Sequence, residues 1–470
     1  MKYRIYETSA SGNKMTSIQL PVEVKASNKI SINTSKHKQT IVGFGGSFTE
    51  SSCHLLQQMD DINRDDILNA YFSEEGAAYS LNRTHINSCD FSLSHYSYSE
   101  TEDPTLSNFS IDHDKKEIIP TILQAQKISK DGFRLIASPW TAPPWMKDNN
   151  NWVGGKLLPK YNDTWALYFS KYLESYKNEG IAFWGITVEN EPMGNGNNWE
   201  SMHFSPSEMT DFVVEHLKPK LTQNGWQKVK ILGFDQNRLD LPHWVDTMYQ
   251  NEKSLASFDG TAIHWYESTF DFFPDQLNYA HQKAPEKLLI QTEACIDAEI
   301  PAWQNDKWYW SQEATDWGYE WASADKKYLH PKYIPVYRYA NDIINCLNHY
   351  VNGWIDWNMV LDRQGGPNWF KNWCVAPVIV DTATQEIYYT PLYYVMAHFS
   401  KFIRPEAKIL EHTIDTNDIL VVSAINSDSS IAVVVFNPDH QQKVVQIDLD
   451  SKIFYTKISG QAIQTLMFNK

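Results

Sequence analysis

The sequence predicts an α/β fold in which a small all-β sandwich domain is attached to a (β/α)8 TIM barrel. The chain has 470 residues, and because a single compact core seldom grows past about 300 residues, a large domain and a smaller one are expected. Eight short apolar runs recur through the middle of the chain, and runs that alternate apolar with polar residues occur near both ends. The first pattern is typical of buried parallel strands, and the second is typical of strands with one solvated face.

The N-terminal segment, residues 1–40, is predicted to contribute strands to the sandwich. Apolar side chains alternate with polar ones from Ile18 to Val24, and the run Ile30-Ser31-Ile32 follows. A period of two places the apolar residues on one face of a strand. Because the C-terminal segment carries a similar pattern, the two ends of the chain are expected to join in one domain.

The barrel is predicted for residues 41–400. Its eight strands are expected at Ile41–Phe44, Tyr79–Arg83, Phe133–Ala137, Phe183–Thr187, Val229–Leu232, Thr261–His264, Lys287–Gln291 and Gly353–Trp357. The first residues of successive runs are 26 to 66 positions apart, so each gap can hold a helix, as at 163–176 and 206–221. Eight alternations of a buried strand with a helix describe a (β/α)8 barrel.

The C-terminal segment, residues 401–470, is predicted to form the rest of the sandwich. Short strands are expected at 419–422, 431–436, 444–447 and 453–455. Turn-forming sequences at Asn426–Ser429 and Asn437–Asp439 separate the first three of these strands.

The charge and hydropathy of the chain exclude several functional classes. The formal net charge is -16, which disfavours binding to nucleic acid or to anionic lipid because both need basic patches. No run approaches the roughly 20 apolar residues that cross a bilayer, so stable membrane insertion is not expected. The N-terminus, Met1–Ser9, lacks the apolar stretch of a secretory signal, and the chain as given is expected to be cytoplasmic or already processed.

Five cysteines are scattered along the chain, at Cys53, Cys89, Cys295, Cys346 and Cys374. Their odd number and the lack of a CxxC pair disfavour a disulfide framework or a zinc site, so reduced, buried thiols are expected. Neither a metal-binding motif such as HExxH nor a phosphate-binding glycine loop occurs, and no cofactor is expected. Aromatic residues make up 14% of the chain, which fits either a carbohydrate site or a large aromatic core.

Polar and aromatic residues follow the predicted barrel strands, where the active sites of (β/α)8 barrels lie. They are Ser88–Phe91, Ser138–Trp140, Glu189–Pro192, His264–Tyr266, Thr292–Glu293 and Asp356–Asn358. Glu191 follows the fourth strand and Glu293 follows the seventh. Glycoside hydrolysis with retention needs one carboxyl group to protonate the leaving oxygen and a second, roughly 5 Å away, to attack the anomeric carbon. A solvated or ion-paired carboxylate is the alternative for either glutamate taken alone.

Several motifs resemble those of one enzyme family. The segment Thr187–Pro192 resembles the acid/base motif of clan A retaining glycosidases, in which Asn-Glu-Pro ends the fourth strand. Six further segments are similar, in the same order, to glycoside hydrolase family 30, and within it to the glucosylceramidase branch. These segments are Gly43–Phe48, Asn87–Ser92, Ala137–Thr141, His264–Tyr266, Thr292–Cys295 and Gly365–Trp369. The similarity runs from about Gly43 to Arg404 and continues more weakly through the C-terminal strands.

The resemblance implies a retaining, exo-acting β-glucosidase in which Glu191 is the acid/base and Glu293 is the nucleophile. Asn190 would contact the sugar 2-hydroxyl, a contact that strengthens in the transition state, and Arg83 would be a charge behind the nucleophile. The other substrate-binding residues that the resemblance implies are Asp90, Phe91, Trp140, His264, Tyr266, Trp357 and Asn372. The implied partner is a β-glucoside: a small molecule, an oligosaccharide or a glycolipid.

Alternatives remain for single residues. Core packing is the alternative role for Trp140 and Trp357, and a structural hydrogen bond is the alternative for His264. Cys295, two residues past Glu293, is expected to be a small buried hydrophobic residue.

Two departures from the family pattern concern the aglycone. The segment 193–200 is shorter and more polar than in lipid-cleaving relatives, and the cysteine-rich N-terminus of the lysosomal enzyme is absent. Both argue against a ceramide substrate and lysosomal residence.

Within the family, β-xylosidase, β-fucosidase or β-1,6-glucanase activity is an alternative. Outside the family, a non-catalytic sugar-binding protein is disfavoured because it would not need both glutamates. The alternative of a structural or interaction protein is supported only by the C-terminal sandwich.

Overall fold

The computed structural model describes residues 2–19, 26, 28–297, 303–313 and 333–469. The strands are β1 (Lys2–Ser9), β2 (Thr16–Ile18), β3 (Asn28–Thr40), β4 (Gly43–Phe48), β5 (Leu81–Ile86), β6 (Arg134–Pro139), β7 (Gly185–Thr187), β8 (Lys230–Asn237), β9 (Gly260–His264), β10 (Leu288–Glu293), β11 (Ile296–Asp297), β12 (Gly353–Asn358), β13 (Val360–Asp362), β14 (Cys374–Val375), β15 (Val378–Asp381), β16 (Glu386–Tyr389), β17 (Lys408–Ile414), β18 (Leu420–Ile425), β19 (Ile431–Asn437), β20 (Lys443–Leu449), β21 (Lys452–Ile458) and β22 (Ala462–Asn469). The α-helices are α1 (Glu50–Gln58), α2 (Asp61–Phe72), α3 (Ile118–Ile128), α4 (Asn162–Asn178), α5 (Pro206–Phe212), α6 (Lys218–Gln223), α7 (Leu241–Met248), α8 (Glu252–Ser257), α9 (Pro274–Lys283), α10 (Asp306–Tyr309), α11 (Pro335–Asn348) and α12 (Pro391–Ser400).

Eight parallel strands close into a barrel, which confirms the predicted fold class. Around the barrel the order is β4, β5, β6, β7, β8, β9, β10 and β12, and β12 pairs again with β4. Each predicted strand overlaps one of these eight. The predicted helix at 163–176 lies within α4, and the one at 206–221 corresponds to α5, a π-helical stretch (Val213–Leu217) and α6. A capping box formed by Ser205 and Glu208 begins α5.

The inside of the barrel is built in two layers. The lower layer is a cluster of aliphatic residues, one from or next to every barrel strand except β7: Val42, Leu81, Ile136, Leu232, Ala262, Ile290 and Ile355. Two residues further along five of these strands, where the period of two directs side chains inward again, lie Arg83, Ser138, His264, Thr292 and Trp357. The lower layer therefore fills the barrel, and the upper layer is the polar floor on which a site can be built.

Strand β8 breaks this period. A register shift between Phe234 and Gln236 interrupts its pairing with β9, and Phe234 and Asp235 both have positive φ angles, 69° and 58°. A β-bulge inserts one residue and redirects the side chains that follow it. Asp235, three residues after Leu232, therefore occupies the inward position that residue 234 would otherwise take.

The second unit is one nine-stranded sheet in the order β2, β1, β22, β19, β18, β17, β3, β20 and β21. It curls so that its two ends pack on each other, because Phe454 of β21 contacts the rings of both Tyr3 and Phe468. Both chain termini contribute strands, as predicted: β1 pairs with β22, and β3 pairs with β17 and β20. Of the predicted N-terminal strand, positions 20–24 lie outside the described residues.

The sheet packs on the barrel through α11 and α12. His398 of α12 is fully buried between the two units, with Nδ1 2.8 Å from Thr465 Oγ1 of β22 and Nε2 2.9 Å from Thr8 Oγ1 of β1. None of the helices in the described ranges has the length and apolar character needed to cross a bilayer.

Candidate active site

A cavity of about 620 Å³ opens at the carboxyl ends of the barrel strands. Eight of the residues predicted from the sequence line it: Asp90, Trp140, Asn190, Glu191, Tyr266, Glu293, Trp357 and Asn372. Three other predicted residues, Arg83, Phe91 and His264, are fully buried and do not line it. The structure thus brings residues from seven separate strand ends and loops into one place.

The two glutamates meet at the floor of this cavity. A carboxylate oxygen of Glu191, one of Glu293 and a ring nitrogen of His264 all lie within 4.8 Å of one another. Glu293 ends β10, whereas Glu191 lies four residues past β7 on backbone with φ of 48°, a region that residues other than glycine seldom adopt. Its N–H donates to the carbonyl of Asp235 at 2.9 Å, which helps to hold this conformation.

Both carboxylate oxygens of Glu293 accept hydrogen bonds from the protein. Arg83 Nη1 donates to Oε2 at 2.5 Å, and the hydroxyl of Tyr266 donates to Oε1 at 2.9 Å. Burial raises the pKa of Glu293 above its ordinary value, and the charges of His264 and Arg83 limit that rise. The donors select the ionised form and fix the orientation of the carboxylate.

Arg83 is the buried cation that organises the floor. Besides Glu293, it donates to Ser138 Oγ at 2.9 Å, to Asn190 Oδ1 at 2.8 Å and to Asp235 Oδ2 at 2.8 Å. Its guanidinium carbon is 4.8 Å from the centre of the Trp140 ring, within cation–π range. One side chain therefore sets the positions of a candidate nucleophile and of the amide beside the other glutamate.

Asp235 is a site residue that the sequence analysis missed. It is fully buried and accepts hydrogen bonds from Arg83, from Thr187 at 2.6 Å and from Thr292 at 2.6 Å. Burial alone would raise its pKa, but the charges of Arg83 and His264 hold the pKa well below its usual value. The signal was available, because Gly233–Asn237 directly follow the predicted fifth strand and the barrel rule applies to them as well.

His264 connects the two halves of the floor. Its Nε2 is 3.0 Å from Asp235 Oδ1 and its Nδ1 is 3.2 Å from Glu191 Oε1. Although burial opposes the charged ring, Glu293 and the Asp235 hydrogen bond raise the pKa of His264 to about 9. A doubly protonated ring can donate to both carboxylates at once. The structural hydrogen bond anticipated as an alternative for His264 is therefore present, and one of its two partners is a candidate catalytic glutamate.

Asp90, Asn372 and two tryptophans form one wall of the cavity. Asn372 Nδ2 donates to Asp90 Oδ2 at 3.3 Å, and burial raises the pKa of Asp90 well above its usual value. Trp140 and Trp357 stack with ring centres 5.1 Å apart, so they pack on each other and face the cavity too. Within the described residues, neither indole N–H has a hydrogen-bond partner in the protein. This wall offers hydrogen-bond acceptors and free donors to a polyhydroxylated ligand.

Phe91 lies behind this wall, with its ring edge-on to Trp357 at 6.1 Å. The structure thus places it as packing for a cavity-lining side chain, without direct access to the cavity. Part of the rim comes from the segment 194–199, whose Asn195, Asn198 and Trp199 line the cavity together with Phe370. Trp199 and Phe370 contact each other edge to face at 5.2 Å.

The barrel and the contents of its mouth define a class of enzyme. Glycoside hydrolases use a pair of carboxyl groups on either side of the scissile bond, and here two such groups converge among indoles and amides. The fold and the site are therefore those of a glycoside hydrolase.

Comparison with known proteins gives the family. Residues 41–403 match the glycosyl hydrolase family 30 TIM-barrel domain, and residues 406–466 match the glycosyl hydrolase family 30 beta sandwich domain. The lysosomal acid glucosylceramidase of Mus musculus is 32% identical over 99% of this chain and 88% of its own. The chain belongs to glycosyl hydrolase family 30.

Two solved structures share the whole architecture. SrfJ from Salmonella typhimurium is 28% identical with a TM-score of 0.89, covering 100% of both chains. The endo-β1,6-glucanase BT3312 is 26% identical with a TM-score of 0.85, covering 100% of this chain and 99% of its own.

Proposed function

We propose that this chain is a retaining, exo-acting β-glucosidase in which Glu293 is the nucleophile and Glu191 is the acid/base. The observation that carries the proposal is the approach of the two carboxyl groups to within 4.8 Å. Retaining glycosidases hold these groups about 5–5.5 Å apart, whereas inverting enzymes separate them by about 6.5–9.5 Å to admit a water molecule. The spacing supports direct attack by one of the carboxylates.

The surroundings of the two glutamates support the division of roles. Glu293 accepts from Arg83 and Tyr266, which stabilise an ionised carboxylate. In the first step Glu293 attacks the anomeric carbon while Glu191 gives its proton to the departing oxygen. In the second step Glu191 takes a proton from water, and that water displaces Glu293 from the sugar with overall retention.

The cavity wall supports glucose as the glycone. Asp90 and Asn372 offer a carboxylate and an amide side by side, and the indoles of Trp140 and Trp357 each offer an N–H. Buried polar groups of this kind discriminate strongly, because a sugar that lacks the matching hydroxyl leaves them unpaired. Asn190, held by Arg83 at 2.8 Å, is the proposed partner of the 2-hydroxyl.

The rim supports a hydrophilic aglycone in preference to a ceramide. Asn195 and Asn198 supply amides, and the Trp199–Phe370 pair supplies an aromatic surface on which a second sugar ring can pack. We therefore expect β-linked gluco-oligosaccharides to be cleaved with higher kcat/KM than glucosylceramide in detergent micelles.

Covalent labelling tests the proposal directly. A glucose-configured cyclitol epoxide should inactivate the enzyme with one label per chain, and peptide mapping should find it on Glu293. A label on another carboxylate, or none after prolonged incubation with folded protein, would contradict the assignment. The Glu191→Ala variant should cleave activated aryl glucosides and give a β-glucosyl azide when azide is added, because azide needs no general base.

A panel of nitrophenyl β-glycosides tests the glycone against xylose and fucose. The similarity to an endo-β1,6-glucanase structure makes cleavage within β-1,6-glucan the second candidate function. Product analysis separates the two, because an exo-acting enzyme releases glucose from the first turnovers whereas an endo-acting enzyme releases oligosaccharides.

A further inference from the structure

Two cysteines and an aspartate converge on one side of the cavity. Cys295 Sγ and Cys374 Sγ are 3.6 Å apart, and Asp297 Oδ1 lies 3.9 Å from the first sulfur and 3.7 Å from the second. The short antiparallel pair β11–β14 carries Asp297 and Cys374 opposite each other. The two cysteines are 79 residues apart in the chain, which hides the cluster from any search for local metal-binding spacing.

We propose that Cys295, Cys374 and Asp297 bind a thiophilic divalent cation, with Zn²⁺ as the best match. Zn²⁺ takes thiolate ligands at about 2.3 Å and carboxylate ligands at about 2.0–2.2 Å in tetrahedral geometry. Two such sulfurs lie about 3.7 Å apart, and a sulfur and an oxygen lie about 3.5 Å apart. The three distances in the structure fall within about 0.4 Å of these values, so little rearrangement is needed.

A disulfide is the other product that two neighbouring thiols could give, and the strand pairing disfavours it. Cys374 pairs with Asp297, so Cys295 is its diagonal neighbour. Diagonal residues of an antiparallel pair lie about 7–8 Å apart, beyond the 4.4–6.8 Å between the Cα atoms that a disulfide needs. The sulfurs approach each other only because both side chains point into the same space, which suits a shared ion.

The cluster has three protein ligands and an accessible fourth position. Cys295, Asp297 and Cys374 all line the cavity, so an ion can enter from solvent and keep a water molecule or a hydroxyl of a bound ligand as its fourth ligand. Three protein ligands with an open position distinguish an exchangeable site from a closed structural zinc site. On binding, each thiol loses its proton to solvent, because the thiolate is the form that ligates the metal.

Tyr266 couples this cluster to Glu293. Its hydroxyl is 2.9 Å from Glu293 Oε1 and 3.5 Å from Cys295 Sγ, and it has one proton to donate. A metal-bound thiolate carries more negative charge than a thiol, so it competes for that proton and leaves Glu293 with one donor fewer. Occupancy of the cluster should therefore lower the rate of any reaction that depends on Glu293.

Cobalt provides a readout that needs no activity. One equivalent of Co²⁺ added to the reduced full-length protein should give the intense visible bands of tetrahedral cobalt and a thiolate-to-cobalt charge-transfer band in the near ultraviolet, and Zn²⁺ should abolish both. A cation held by Glu191, His264 and Glu293 instead would give no thiolate band. That spectrum, or weak octahedral bands alone, would overturn the proposal.

Substitutions locate the site. Cys374→Ala should weaken Zn²⁺ binding by more than about 100-fold, because even changes behind metal ligands cost 10- to 100-fold. Cys53→Ala is the matched control, since it removes another buried thiol, on α1, and should leave the affinity unchanged. Equal affinity in both variants would contradict the assignment. Zn²⁺ should also slow β-glucoside hydrolysis in the wild type but not in Cys374→Ala; this readout rests on the proposed function, whereas the cobalt spectrum does not.

Discussion

At the scale of single residues, the two glutamates differ in what their neighbours allow them to do. Glu293 is held at both oxygens, by a guanidinium and by a phenol. Glu191 contacts one ring nitrogen of His264, and its side chain is 14% exposed to the cavity. A nucleophile benefits from a fixed orientation, because correct placement of the reacting atoms supplies much of the rate acceleration. A proton donor needs contact with the leaving group and with water in turn, which the cavity-facing side of Glu191 provides.

The first prediction concerns Glu293. Glu293→Gln should lower kcat for aryl β-glucosides by about 10,000-fold or more, the scale of loss seen when a catalytic group is removed, because an amide of the same shape cannot attack. Folding should be retained, since the amide oxygen can still accept from Arg83 while the amide NH2 donates to the hydroxyl oxygen of Tyr266. Steady-state kinetics and a melting curve measure the two effects. Turnover above a few per cent of wild type in a clean preparation would refute the assignment.

The second prediction concerns Asp90. Asp90→Ala should lower kcat/KM for β-glucosides by about tenfold to a hundredfold, because a sugar hydroxyl without its partner costs roughly 1–3 kcal/mol. The loss should be smaller for a 4-deoxyglucoside, which never formed part of that contact. Kinetics on the matched pair of substrates measures the difference.

The structure removes one competing explanation for Asp90. An ion pair with Arg83 would make the residue structural, but the Arg83 nitrogens donate to Ser138, Glu293, Asn190 and Asp235. Asp90 instead accepts from Asn372 at 3.3 Å. An equal loss on both sugars, together with a large drop in melting temperature, would show that the residue does not contact the 4-hydroxyl.

At the scale of elements, the bulge in β8 connects strands across the barrel mouth. Through the side chain of Asp235, β8 is hydrogen-bonded to Arg83 of β5, Thr187 of β7, His264 of β9 and Thr292 of β10. Two of these residues, Arg83 and His264, come from strands that lie opposite each other in the barrel, so one carboxylate fixes their separation. The floor of the site depends on this strand although β8 itself contributes neither glutamate.

The third prediction concerns this connection. Asp235→Asn should lower the free energy of unfolding by about 3 kcal/mol, because removing one partner of a buried ion pair leaves an uncompensated charge. The pKa of His264, about 9 in the wild type, should fall, since a negative charge beside the ring is lost. Denaturant unfolding and NMR of labelled histidine measure the two effects.

Asp259→Asn is the control for that measurement. Asp259 lies at the other end of the same strands, where it pairs with Lys230 at 2.9 Å with both side chains partly exposed. Exposed pairs contribute about 0–1 kcal/mol, so the same chemical change should cost much less there. Similar losses in the two variants would mean that the Asp235 network adds no special stability.

Most of the barrel could be predicted because its strands are buried on both faces and therefore form short, continuous apolar runs. The bulge could not be predicted. Phe234 and Asp235 have positive φ angles, but neither residue type signals such a backbone conformation in the sequence. Strand β22 was also missed, because it lies inside the sheet with both faces covered and buries Gln464 and Thr465. The glutamates and Asp235 all follow recognisable strands, but the inward direction of the Asp235 side chain depends on the inserted residue of the bulge.

At the scale of the whole molecule, the barrel and the sheet share buried polar contacts. Arg404, just after α12, donates its backbone N–H to Asn426 of the sheet region at 3.0 Å, and His398 of α12 lies between Thr8 and Thr465. The two units are therefore joined by hydrogen bonds, and those of His398 are fully buried. Burial lowers the pKa of His398 to about 3, so the ring is neutral in the folded protein at neutral and mildly acidic pH.

The last prediction follows from this neutral histidine. In the unfolded chain a histidine titrates near pH 6.5, whereas the folded pKa is about 3, so between these values the unfolded state binds one proton more and acid favours unfolding. Stability should be independent of His398 above pH 6.5 and should fall by up to about 1.4 kcal/mol per pH unit below it. In His398→Gln the amide can still form hydrogen bonds with both threonines but cannot be protonated. Between pH 7 and pH 5 its free energy of unfolding should therefore fall by about 2 kcal/mol less than that of the wild type. His37→Gln, which replaces an exposed histidine on β3, is the control and should show the wild-type dependence of stability on pH. Identical slopes for wild type and His398→Gln in denaturant unfolding would show that His398 is not the residue that makes the junction sensitive to acid.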